Sequence, residues 1–194
     1  SAALPKGSKK QLATLFVVAS QTSTENAFIS GSSLNQLSNT AQTQINSAIN
    51  SERFKGTTGQ HISVFDDELH QHIVVLGVGQ IKDEALTARA LGQQIANHCK
   101  QYSIDTAAVL IDDAISNSDE LINHIVIGAA DANYNFEAPY DSKYKQNSKK
   151  WATDRARTLT LLLSKAPNAA QKSIFAQACG IAEGIALTKH LGNL

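Results

Sequence analysis

Apolar residues fall in short blocks along this chain, and polar stretches rich in Ser, Thr, Asn and Gly separate them. Residues 12–19, LATLFVVA, are nearly unbroken in Leu, Val and Phe, which fits a strand covered on both faces. Residues 20–33 read as loop. Over 34–49, Leu34, Leu37, Ala41, Ile45, Ala48 and Ile49 recur at helical spacing and predict an amphipathic helix. FKGTTGQ reads as a turn. Residues 61–65 and 71–76 read as two strands joined at DDEL, a hairpin.

Asp83 stands where an N-cap belongs, ahead of a long helix. Ala85, Leu86, Ala88, Ala90, Leu91, Ile95 and Ala96 supply its apolar face. Residues 106–111 predict a strand. Residues 117–130 predict a helix with Leu121, Ile122, Ile125, Val126 and Ala129 inward. Residues 131–150 are polar with aromatic residues among charges and read as a surface excursion. A strand at 158–163 and a helix at 169–191 complete the pattern. Alternating strands and helices favour an α/β fold, with a mixed central sheet covered on both faces.

Composition narrows this picture. A chain of 194 residues fits one domain, and 42% hydrophobic with 18% charged residues is ordinary for a globular protein. The formal charge is zero, so no global field draws in nucleic acid or an anionic membrane. No apolar run approaches the ~20 residues of a membrane span. Lys9-Lys10 ahead of QLATLFVVAS has the outline of a signal peptide, but the run is short and holds Thr14, so a buried first strand is preferred. Cys99 and Cys179 make no disulfide framework and point to a reducing, cytoplasmic setting. The absence of methionine, even at position 1, predicts a chain that was processed, trimmed or made as a fragment.

Candidate chemistry is sparse. VVLGVGQ runs a strand into Gly77 and Gly79 shortly before a helix, a possible phosphate turn. The dinucleotide fingerprint needs a third glycine, and Lys82 stands in its place. His70 and His72 would share a strand face near His61, but no Cys or carboxylate cluster completes a metal site. His98 reads as an imidazole complementing a helix dipole. Asp66-Asp67-Glu68 and Asp112-Asp113 read as solvated turns, and there is no Gly-x-Ser-x-Gly elbow. Residues 143–157 are locally basic, with Lys143, Lys145, Lys149, Lys150, Arg155 and Arg157 interleaved with Tyr144 and Trp151. That mix suits a subunit or interdomain contact, and also nucleic acid.

Three stretches together carry a resemblance: HIVVLGVGQIKDEALTARALGQQIAN, INHIVIGAADANYNFEAPYDSKYK and IAEGIALTKHLGNL. In order and spacing they resemble the N-terminal domain of the leucyl (cytosol) aminopeptidase family over roughly residues 70–194. The first seventy residues agree in outline. One departure is Lys189-His190, where the family commonly has Arg-Asp; another is the stop at Leu194, where a linker should continue.

The resemblance implies a three-layer α/β/α sandwich, macro-domain-like, over 1–168. It implies that 169–194 is a terminal helix leading to an absent C-terminal catalytic domain. That domain would hold two divalent metal ions, Zn or Mn, and remove N-terminal amino acids from peptides. Its signature, Asn-Thr-Asp-Ala-Glu-Gly-Arg, is missing here, so no catalytic, cofactor or metal residue carries over. The implied role is non-catalytic: oligomer assembly, a hexamer in the family, or regulation, with DNA binding in some members. A nucleotide-binding module at Gly77 and Gly79 and a nucleic-acid-binding domain through 143–157 are the alternatives. In the terminal helix, Ile174, Phe175, Ala178, Ile181, Ala182, Ile185 and Ala186 form an apolar stripe. Burial of each larger member is worth roughly 1.5–3 kcal/mol. The expectation is that the domain's own sheet covers its N-terminal two-thirds.

Overall fold

The computed structural model describes residues 14–22, 26–111, 119–134, 158–163 and 166–192. In chain order these form β1 (Thr14–Gln21), β2 (Ala27–Phe28), α1 (Gly31–Leu34), α2 (Asn39–Asn50), β3 (His61–Asp66) and β4 (Gln71–Gly77). Then come α3 (Glu84–Gln101), β5 (Thr106–Ile111), α4 (Asp119–Asn133), β6 (Thr158–Leu163) and α5 (Ala169–Gly192). The central sheet has six strands in the order β3-β4-β1-β5-β6, with β2 paired to β1. β4, β1, β5 and β6 run parallel, while β3 and β2 are antiparallel to their neighbours.

β1 lies in the middle, with Phe16 opposite Val74 of β4 and Val109 of β5. Its alternate residues feed two cores. Phe16 and Val18 join Val74, Leu76 and Val109 beneath Leu91 and Ile95 of α3 and Leu121 and Ile125 of α4. Leu15, Val17 and Ala19 join Ile73, Val75 and Leu110 beneath Ala41 and Ile45 of α2. Helices on both faces leave no polar side, which is why the strand's sequence lacks alternation. α3 and α4 touch backbone to backbone. A Cβ at Gly92 would stand 2.1 Å from the Ile125 oxygen, and one at Gly128 2.1 Å from the Arg89 oxygen.

Several expectations shift. The helix expected over 34–49 divides, because Ser38 caps a fresh start and its hydroxyl accepts from Ala41 N at 3.1 Å. β2 and α1 occupy part of the expected loop at 20–33. Leu86, assigned to the inward face of α3, is 67% exposed. Asp83 does cap that helix, accepting from Leu86 N at 2.9 Å.

Asp66 closes the hairpin and is fully buried. Its carboxylate accepts from Ser38 N at 3.1 Å, Glu68 N at 3.1 Å and Leu69 N at 3.0 Å, tying the hairpin turn to the start of α2. Burial pushes its pKa up, but the donors on Leu69, Ser38 and Glu68 together hold it below the usual carboxylate value. His98, expected as a cation at a helix end, is instead buried against Phe16, His61 and Tyr102 at ring separations of 5.5, 5.0 and 4.4 Å. Burial, followed by repulsion from His61 and His72, lowers its pKa to about 4, so it is neutral near pH 7 and does not serve the helix dipole.

Two outcomes follow. Asp66→Asn keeps one acceptor facing three N–H donors, and urea titration at pH 7 will register a loss of about 2–3 kcal/mol. The depressed folded-state pKa means the native carboxylate's contribution is full above 3.8 and fades as pH falls through the folded value. His98 titrates earlier. Its neutral form is favoured by folding, so stability falls as pH drops from 6.5 towards 4, by up to about 3 kcal/mol. His98→Phe retains the ring contacts and will flatten that part of the stability–pH curve measured by urea unfolding.

Candidate functional site

Gly77 ends β4, and Gly79 follows with φ +73°. Loop 56–60 lies directly over both. A Cβ on Gly77 would stand 2.3 Å from the Thr57 oxygen, and one on Gly79 2.5 Å from Thr58 Oγ1. Glycine is needed there for close approach of backbones. The turn's amides face the main chain. Gly77 N donates to Gln60 O at 2.8 Å, Val78 N to Ala19 O at 2.9 Å and Gly79 N to Gly56 O at 2.8 Å. α2 and α3 follow β1 and β4 on opposite faces, so these strand ends form the switch point where open α/β sheets take ligands. Here that crevice holds the protein's own loop.

The histidines separate. His70 sits in the hairpin turn at φ 48°, not on a strand face with His72. His61 pairs with Leu76 and His72 with Phe65, placing them at opposite ends of the hairpin. Among the described residues no three His, Cys, Asp or Glu side chains gather to hold a metal ion. The metal pair implied by the family resemblance therefore has no fitting donor set in this part of the chain. The Cys99 thiol is buried, and burial pushes its pKa up to about 12, which leaves it unreactive. Asp112, Asp113 and the basic segment with Lys143, Lys145, Lys149, Lys150, Trp151 and Arg155 lie outside the described residues.

The remaining feature is the outer surface formed by β6 and α5. β6 is the last strand on its side of the described sheet, with Leu159, Leu161 and Leu163 half-buried towards the helices. α5 packs chiefly on α4, where the sequence suggests cover by the sheet. Among its described residues Ala178 alone is buried, while Phe175, Ile181, Leu187 and Leu191 are 41%, 45%, 59% and 60% exposed. Two apolar hollows flank Phe175. One, of about 170 Å³, is lined by Ile122, Leu161, Leu163 and Pro167, with Lys172 at its rim. The other, of about 240 Å³, lies among Ile95, Val126, Ala129, Leu159 and Cys179.

The Asp131 carboxylate ties this surface to the body. Asp131 of α4 accepts from Lys189 of α5 and lies 3.7 Å from Arg89 of α3. The Lys189 hydrogen bond, acting against burial and aided by the charges of Lys189 and Arg89, lowers the Asp131 pKa. Lys189 also stands 5.4 Å from the Tyr134 ring centre. Lys100 of α3 donates to the Ala132 carbonyl near the end of α4. Sequence reasoning missed this clasp. Its trace is a lysine one turn beyond Ile185 on the inward stripe of α5, a cation that needs an anion across the interface.

An apolar surface with hollows, held by an ionic clasp, is suited to protein contact. No curated protein matches the chain. Among solved structures, a tomato leucine aminopeptidase carrying a point substitution gives a TM-score of 0.60 at 16% identity, covering 92% of this chain and 35% of that one. The bottromycin maturation enzyme BotP gives 0.57 at 13% identity, covering 94% of this chain and 33% of that one. These likenesses concern the fold, and the chain spans about a third of the length of either structure. The model described as the cytosol aminopeptidase family's N-terminal domain matches residues 14–143. On that match, the chain belongs to the cytosol aminopeptidase family.

Proposed function

We infer that this chain is the non-catalytic N-terminal domain of a leucyl-aminopeptidase-like metallopeptidase and serves oligomer assembly or regulation. Removal of N-terminal amino acids from peptides then falls to a separate domain carrying two divalent metal ions, Zn or Mn. Residues 169–194 serve as the helix leading towards it. The observation that carries this reading is α5. It grips the body along one narrow face and leaves four large apolar side chains in solvent. Exposed apolar surface of this kind is retained where something covers it.

Two further facts support it. Within the described residues no metal-binding trio forms, and the buried Cys99 thiol is kept protonated by its surroundings. No described helix is long and apolar enough to cross a membrane, and both cysteines are free, in keeping with a cytoplasmic setting.

The chain incubated with Leu-p-nitroanilide and added Mn²⁺ or Zn²⁺ will release no nitroaniline above a metal-only blank. Light scattering will find it in assemblies of more than one copy. Turnover that co-purifies with the chain would overturn the reading.

A further inference from the structure

Glycine in the middle of a helix costs roughly 1 kcal/mol relative to alanine. In this fold Gly92 and Gly128 offset that cost by letting α3 and α4 touch. α5 holds Gly180 and Gly184, and nothing lies within 4 Å of a Cβ built at either. Two mid-helix glycines thus lie on the outward side of a helix whose exposed residues include Ile181, Leu187 and Leu191.

The charges on the same side indicate what covers it. Lys172, Ala176, Gly180, Glu183 and Leu187 follow one another at intervals of three or four residues, and all are exposed. Lys172 and Glu183 stand three turns apart, roughly 16 Å along the axis. Among the described residues neither side chain has an ion pair. A parallel copy of α5 sets like charge against like. An antiparallel copy, its twofold axis at the level of Gln177 and Ala178, sets Lys172 against Glu183 of the partner subunit and repeats the pair on the other side.

The same register has two further consequences. Ala176, Cys179 and Gly180 meet near the axis, where small side chains allow close approach. Leu187 of the partner subunit arrives beside the start of α5, at the hollow of about 170 Å³ lined by Leu163, Pro167 and Phe175.

We propose that the outer face of α5 is a homodimer interface, in which two copies pack antiparallel with paired Lys172–Glu183 contacts and Leu187 seated in the hollow beside Pro167. This rests on the assembly reading above and names its surface. An isologous contact of this kind is self-complementary by symmetry.

Sedimentation velocity of the 194-residue chain over a wide concentration range tests it. The wild type will form dimers. Lys172→Glu and Glu183→Lys will each weaken the dimer by about tenfold or more, because each creates two like-charge contacts. The double variant K172E/E183K will recover the wild-type association, since both pairs re-form with their signs exchanged. Leu187→Glu will also dissociate the dimer. All three positions of change are exposed, and circular-dichroism melts will confirm that each variant is folded. Association that ignores the single reversals, or that the double variant fails to restore, overturns this interface while the assembly reading stands. A chain that stays monomeric overturns both. A monomer that binds an added aminopeptidase catalytic domain through α5 overturns the second copy as occupant.

Discussion

The placement of β1 between two parallel neighbours, under helices on both faces, is the constraint on which the rest of the structure depends. The five consecutive apolar residues Leu15 to Ala19, all buried, have one low-energy position, the middle of a covered sheet. Phe16 and Val18 then require α3 and α4 above them, and Leu15, Val17 and Ala19 require α2 below. The chain satisfies the lower face first, returns through the β3–β4 hairpin, and crosses over to the upper face with α3. Asp66 joins the two stages, its carboxylate accepting from two amides of the hairpin turn and from the Ser38 amide that caps α2.

From this centre burial falls off towards one side. β1, β4 and β5 are almost wholly enclosed, β6 is half-enclosed, and α5 is largely in solvent. The helices follow the same trend. α3 and α4 meet at backbone distance through paired glycines, whereas α5 rests on buried Ala178, on half-buried residues such as Ile174 and Ile185, and on the Asp131 clasp. Elements with few buried contacts open most readily, so α5 belongs to the low-stability end of the molecule. Low local stability and exposed apolar surface occur on the same helix, the combination expected of a surface completed by another protein.

Much of this was legible in the chain, and the exceptions have physical causes. The strands at 106–111 and 158–163 coincide with prediction because short apolar runs bounded by polar residues leave little choice of boundary. The helix at 34–49 divided because Ser38 offered a cap that outweighed continuous periodicity. Leu86 faces outward although it fits the helical spacing: it lies in the first turn, beyond the edge of the sheet's cover. β2 consists of two residues, too short for any pattern to register. His98 carries no sequence sign of burial, because the rings that enclose it come from β1, from β3 and from the residue that closes α3. Periodicity gave the apolar stripe of α5 but not its partner. Which neighbour takes the stripe, α4 or the sheet, depends on long-range placement. The basic residues of 143–157 lie outside the described structure, and their reading rests on composition.

The plugged crevice at the ends of β1 and β4 has a consequence for how such a domain can change over time. With the loop's carbonyls seated on Gly77 and Gly79, the crevice at these strand ends is filled by the protein's own main chain. Variation there would break main-chain bonds before conferring anything new. The outward side chains of α5 are under no such restriction, since Lys172, Ala176, Glu183 and Leu187 are exposed and belong to neither core. Substitution is thereby tolerated more readily on the outward face of α5 than at the closed crevice.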